Sequence, residues 1–163
     1  MRLQNMLLLC LGLSISGCTT SETITRPYMV EAQSMIGMNA KANRKELKHY
    51  MNAAKAGPVD PLHIPWCAGW TNAVLQNNGL QGTRQLTARS FLKWGYPTKD
   101  PQDGDIVVLR RGRSNWTGHV GFFVGYEDYE GTTYVKVLSG NTDKQVAVGY
   151  FPKTYVLAYR SPN

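Results

Sequence analysis

Asp105-Ile106-Val107-Val108-Leu109 and Val120-Gly121-Phe122-Phe123-Val124 are short runs of β-branched and aromatic residues, separated by the polar loop Arg110–Gly118. Runs this short, made of side chains that suit a pleated surface, read as strands. Thr133 to Leu138 and Tyr155 to Tyr159 repeat the pattern behind turn residues. Upstream of Pro101 the periodicity is different. Tyr28 to Met38 has helical composition, and Arg44 to Ala56 carries Leu47, Tyr50, Met51 and Ala54 on one helical face before a Gly57-Pro58 stop. A third helix is expected from Trp66-Cys67 to Asn77-Asn78-Gly79, and a short one from Thr87 to Trp94 ahead of Gly95 and Pro97. Helices first and strands second predict an α+β fold with an antiparallel sheet.

The chain has 163 residues, 42% of them hydrophobic, enough for one domain with a core of its own. Its moderate charge and its aromatic content argue against disorder. Three cysteines cannot all pair within one chain, and no Cys-x-x-Cys or His-Glu-x-x-His spacing is present, so a disulfide scaffold and a zinc module are both disfavoured. The net charge of +7 comes from scattered basic residues without a nucleic-acid motif, and no nucleic-acid partner is expected.

Residues 1–17 read as a signal peptide. Arg2 precedes an apolar run from Met6 to Leu13 that is too short to span a bilayer, and small residues follow. Ile15-Ser16-Gly17-Cys18 resembles the bacterial lipobox, which implies cleavage before Cys18, acylation of its thiol and a membrane anchor without a transmembrane helix. Residues 18–27 are then the lipidated cysteine and a short polar tether, and the globular domain spans 28–163.

Cys10 leaves with the signal peptide and Cys18 carries lipid, which leaves Cys67 as the one free thiol of the exported domain. In an oxidising compartment a lone thiol is either buried and inert or functional. Its expected place in the first turn of a helix favours function, because the unpaired N–H groups and the macrodipole there lower a thiol's pKa and can donate to an oxyanion. A thiol nucleophile needs a base and an orienter. His49 lies on a lysine-rich helix face, and His63 lies in a proline-rich loop, where it competes weakly for the role. His119 opens an apolar strand. If the strands around His119 and Asn141 form a hairpin centred on Glu130, Asn141 falls opposite His119 and could hold the imidazole, with Ser139 as the alternative. A one-residue slip would reverse that facing.

Taken in order, Pro65-Trp66-Cys67-Ala68-Gly69, Ala88 to Gly95, Gly104-Asp105-Ile106-Val107-Val108, Gly118-His119-Val120-Gly121-Phe122 and Ser139-Gly140-Asn141 resemble the papain-like cell-wall hydrolases of the NlpC and CHAP type, over Tyr28 to Pro162. The resemblance implies a Cys–His–polar site that attacks an amide of peptidoglycan through a thioester, with Cys67 as nucleophile, His119 as base and Asn141 as third residue. Many CHAP-type members carry a carboxylate two residues before that asparagine, where this chain has Ser139. No cofactor or metal is implied. Peptidoglycan is the expected partner, and the protein is expected to be a monomer in the bacterial envelope, held at Cys18 on the periplasmic face of the outer membrane if the cell has two membranes.

Of the basic cluster Arg110, Arg111 and Arg113, Arg113 is taken as a clamp for stem-peptide carboxylates, and Trp116 as an aromatic wall of the groove. Asp105, behind a glycine turn, is expected to anchor its loop. Two other functions fit the same residues: a wall-binding module without turnover, and an acyltransferase that delivers the thioester to an amine.

Overall fold

The computed structural model describes residues 26–55 and 58–162. The signal peptide, Cys10, Cys18 and most of the tether lie outside the described residues. Three α-helices, α1 (Pro27–Ser34), α2 (Arg44–Ala53) and α3 (Cys67–Asn77), precede a six-stranded antiparallel sheet, and a 3-10 helix, Ala88–Lys93, links the two halves. The strands are β1 (Tyr96–Thr98), β2 (Ile106–Arg110), β3 (Gly118–Tyr129), β4 (Thr132–Thr142), β5 (Gln145–Pro152) and β6 (Val156–Ser161), in the order β1-β6-β2-β3-β4-β5. The α+β class expected from the sequence is the observed one. β1 and β5 were not foreseen: β1 is a three-residue edge strand containing a proline, and β5 carries Gly149 in the middle of its run, where a strand pattern read from sequence is weakened.

Helix α3 is the centre of the fold. Every residue from Cys67 to Leu75 is buried, because α1 and α2 cover it on one side and β3 and β4 on the other. The larger core joins Met29, Leu47, Trp70, Leu75, Phe91 and Phe122 between helices and sheet. The opposite sheet face carries a smaller cluster of Val107, Leu109, Phe123, Val135 and Val137. β2 feeds both, with Ile106 and Val108 facing the helices and Val107 and Leu109 facing away, which explains its uninterrupted apolar run.

Polar contacts tie the layers together. Glu31 of α1 accepts a hydrogen bond from Tyr50 Oη of α2 at 2.7 Å and one from Asn77 Nδ2 at the end of α3 at 2.9 Å. Asp105 is buried, and it accepts from Arg26 Nη1 at 2.7 Å and from the Gln102 amide at 2.9 Å. It anchors its loop and ties Arg26 to the packed domain. The outer edge of β5 is covered by the segment after α1, where Gly37 donates to the Val146 carbonyl and Val146 to the Met38 carbonyl, both at 2.9 Å.

The β3–β4 hairpin turns on Glu130-Gly131, both with positive φ, as a two-residue turn of the primed type requires. From Tyr129↔Thr132 to Gly125↔Lys136 the pairs are offset by one residue from a hairpin centred on Glu130. A bulge between Phe123 and Gly125 absorbs the offset, so Phe123↔Val137 and Phe122↔Leu138 recover the expected register. There the ladder ends. Beyond it Gly140 faces the start of α3 so closely that a Cβ would lie 2.7 Å from the Trp66 ring and 2.8 Å from Trp70 Cβ. Gly140→Ala is expected to lower the unfolding free energy by about 1–3 kcal/mol, because neither tryptophan has room to retreat; urea denaturation measures it.

Candidate active site

Cys67 is the first residue of α3, behind the non-helical Trp66. No side chain caps this end, so its backbone N–H groups remain available. The backbone amides of Val120 and Ala68 lie close enough to the thiol to favour its charged form. Phe123 exchanges backbone bonds with Gly104 and Asp105 on the β2 side, so by strand alternation Val120 directs its N–H toward β4. The ladder to β4 has already ended, and the amide is free for the sulfur.

His119, the residue before Val120, pairs with Leu109 and shares its sheet face. Its Nε2 lies 2.8 Å from Ser139 Oγ, and Ser139 Oγ lies 2.8 Å from Thr142 Oγ1. The Phe151 ring stands 5.3 Å from the imidazole, centroid to centroid. Nδ1 is buried and has no hydrogen-bond partner among the described residues. The helix that bears the thiol thus packs on the strand that bears the imidazole, where the β3–β4 ladder ends.

Asn141 does not hold the imidazole. Its φ of 62° places it in the left-handed region, inside the irregularity between Ser139 and Thr142, and its amide makes no hydrogen bond to His119. The expected opposition assumed a regular strand up to position 141, whereas the strand remains regular only as far as Ser139. The residue kept as the alternative is the one in contact.

A groove of about 150 Å³ leads to the sulfur, lined by Pro65, Cys67, Thr87, Ala88, Arg111 and Trp116 among others. Trp116 stands in it as expected and is 75% exposed. Arg113 does not line it; the basic residue that does is Arg111. Arg110 is turned away, with its guanidinium 4.1 Å from the centre of the Tyr155 ring. The sequence reading assigned no role to Arg89, whose Nε donates to the Thr117 carbonyl at 2.7 Å and whose Nη2 donates to the Ser114 carbonyl at 3.0 Å, fastening the groove loop to the 3-10 helix. An arginine in a short helix carries no local signal of such a distant partner.

Electrostatics differ from the expectation of a low-pKa thiol. Cys67 and His119 are each only 3% exposed. Burial pushes the thiol pKa up against the opposing pull of the Val120 and Ala68 amides, so desolvation outweighs the helix start. Burial, with a smaller push from Arg111, holds the imidazole down at about 4. At neutral pH Cys67 rests as a thiol and His119 as a neutral imidazole.

Two measurements check this. Iodoacetamide should react with Cys67 at a rate that keeps rising above pH 9, the ordinary thiol value, without a plateau near neutrality. The folded state holds His119 below its ordinary value of 6.5, so the unfolded chain binds the proton first as pH falls. This contribution to stability is therefore present above about pH 6.5 and lost toward pH 4, roughly 3 kcal/mol at most for a group this buried. The difference between wild type and His119→Gln in denaturation midpoint across that range isolates it.

No curated protein and no solved structure gives a significant match to this chain. The family model of the CHAP domain matches residues 59–141, just over half of the chain. The matched span runs from the approach to α3 through Cys67 and His119 into the last residues of β4, so it contains the groove and both of these side chains. CHAP domains are typically cysteine- and histidine-dependent amidohydrolases that act on peptidoglycan. With its thiol at a helix start, its histidine on the facing strand and its α+β architecture, this chain belongs to the CHAP domain family.

Proposed function

We propose that the protein is a peptidoglycan hydrolase that cleaves an amide bond, in a stem peptide or at its junction with the sugar, through a thioester on Cys67. One observation carries this reading. Helix α3, which begins at Cys67, packs on β3, whose Val120 amide acts on the thiol and whose His119, the residue before it, has Nε2 engaged by Ser139 and Nδ1 without a partner among the described residues. An imidazole held by one nitrogen leaves the other as acceptor.

In the tautomer that suits this arrangement, Nε2–H donates to Ser139 Oγ, whose hydroxyl in turn donates a hydrogen bond to Thr142 Oγ1, and the Nδ1 lone pair serves as base. With substrate in the groove, Nδ1 takes the Cys67 proton as the sulfur attacks the carbonyl carbon. Negative charge moves to the carbonyl oxygen, which the N–H groups at the start of α3 stabilise. The tetrahedral species collapses to a thioester while imidazolium gives its proton to the departing amine. Water, deprotonated by the same Nδ1, then releases the acid and restores the thiol. The neutral resting pair means that the proton moves only when substrate is in place.

The third position belongs to Ser139 in this mechanism. A neutral hydroxyl orients the ring without the charge that a carboxylate would supply to an imidazolium. The same reading makes the protein a lipid-anchored monomer of the bacterial envelope, held at Cys18, with the outer membrane as its site in a two-membrane cell.

Purified sacculi incubated with wild type should release fragments, identified by mass, and Cys67→Ala should release none; digestion by that variant would falsify the thioester reading. Ser139→Ala should lower kcat by roughly tenfold to a hundredfold, the cost of leaving a buried nitrogen unpartnered, while Asn141→Ala should leave it within about twofold. In fractionated bacteria Cys18→Ser should move the protein from the membrane to the soluble fraction, and labelled fatty acid should no longer be incorporated.

A further inference from the structure

The groove at Cys67 is lined by apolar and neutral side chains with one exception, the guanidinium of Arg111. That side chain is exposed and makes no ion pair or hydrogen bond among the described residues. Its neighbours are committed elsewhere, since Arg110 covers Tyr155 and Arg89 is spent on the Ser114 and Thr117 carbonyls. Only the backbone of Arg111 is fastened, its carbonyl accepting from Thr117 Oγ1 at 2.6 Å. The chain thus holds the position of this residue at the groove while leaving its five N–H donors unoccupied.

No carboxylate of the protein lines the groove to neutralise Arg111. Its charge is also felt at both reactive groups, where it opposes protonation of His119 and favours the thiolate of Cys67. An unpaired guanidinium this near the nucleophile is matched in shape and charge by a carboxylate, which it can take with two parallel hydrogen bonds. Lysine would supply the charge without the fork.

We infer that Arg111 is a specificity-determining residue that reads a free carboxylate on the substrate next to the amide to be cleaved. The inference rests on the hydrolase reading and deepens it by naming the feature that a stem peptide must carry. D-Glutamyl residues of wall peptides supply such a group when they are joined through the side chain, because the α-carboxylate is then left free. Amidation of that carboxylate removes its charge and half of the matching acceptor geometry, so amidated walls should be poor substrates.

The test uses two synthetic stem peptides that are identical except that the D-glutamyl α-carboxylate is free in one and amidated in the other. With the wild-type protein, kcat/KM should favour the free acid by roughly tenfold, most of it in KM, as expected for a solvent-accessible charge-assisted pair. Arg111→Gln should reduce that ratio to near one, and Arg111→Lys should keep part of it. Lys99→Gln, which removes an equal charge from an exposed turn, should leave the ratio intact. Calorimetric binding of both peptides to Cys67→Ala and to Cys67→Ala/Arg111→Gln reads the same preference as a ratio of Kd values without turnover. If wild type cleaves neither peptide nor sacculi, the hydrolase reading falls, and the Kd ratio still decides the role of Arg111. Equal affinity for the two peptides, no binding of either, or a preference that survives Arg111→Gln overturns the inference.

Discussion

The architecture depends on how closely the start of α3 can press against the end of β4. At Gly140 there is no space for even a single additional carbon between the strand and the Trp66 ring and Trp70 Cβ. That contact ends the β3–β4 ladder at Phe122↔Leu138 and frees the Val120 amide, which then meets the sulfur of Cys67. If the helix stood farther away, β3 and β4 would continue their pairing, and the thiol would face a saturated sheet. The site is thus a consequence of an interrupted sheet, and the interruption is a consequence of helix packing.

Burial then sets the chemistry. The helix start offers amides that favour a thiolate, and the nearby Arg111 adds to them, yet the thiol is almost wholly removed from water and the charged form loses more than these groups return. The imidazole is held neutral for the same reason. Ser139 and Thr142 satisfy one ring nitrogen without introducing a charge that would stabilise imidazolium. A carboxylate in place of Ser139 would favour the charged pair, so the serine and the deep burial act in the same direction.

Most of the scaffold was legible in the sequence. Periodicity located α2, the Asn77-Asn78-Gly79 stop located α3, and β-branched runs located β2, β3, β4 and β6. The two missed strands lie at the sheet edges, where fewer buried positions are needed and the pattern is correspondingly weak. The helix expected over Thr87 to Trp94 is a 3-10 helix over Ala88–Lys93, a distinction that composition does not carry. The expected register is recovered at Phe122↔Leu138 through two offsets that cancel, a turn one residue farther on and a bulge that takes the residue back.

By itself the sequence determined the α+β class and singled out Cys67, His119 and Trp116, since a thiol at a helix start and a histidine at a strand start are local features. Only the tertiary structure decided that Ser139 and not Asn141 touches the imidazole, that Arg111 and not Arg113 enters the groove, and that the thiol is raised and not lowered in pKa. Those outcomes depend on one bulge, on which of three neighbouring arginines the loop turns inward, and on how much water the packed helix excludes. None of these is written in spacing or composition, because each arises where segments distant in the chain come into contact.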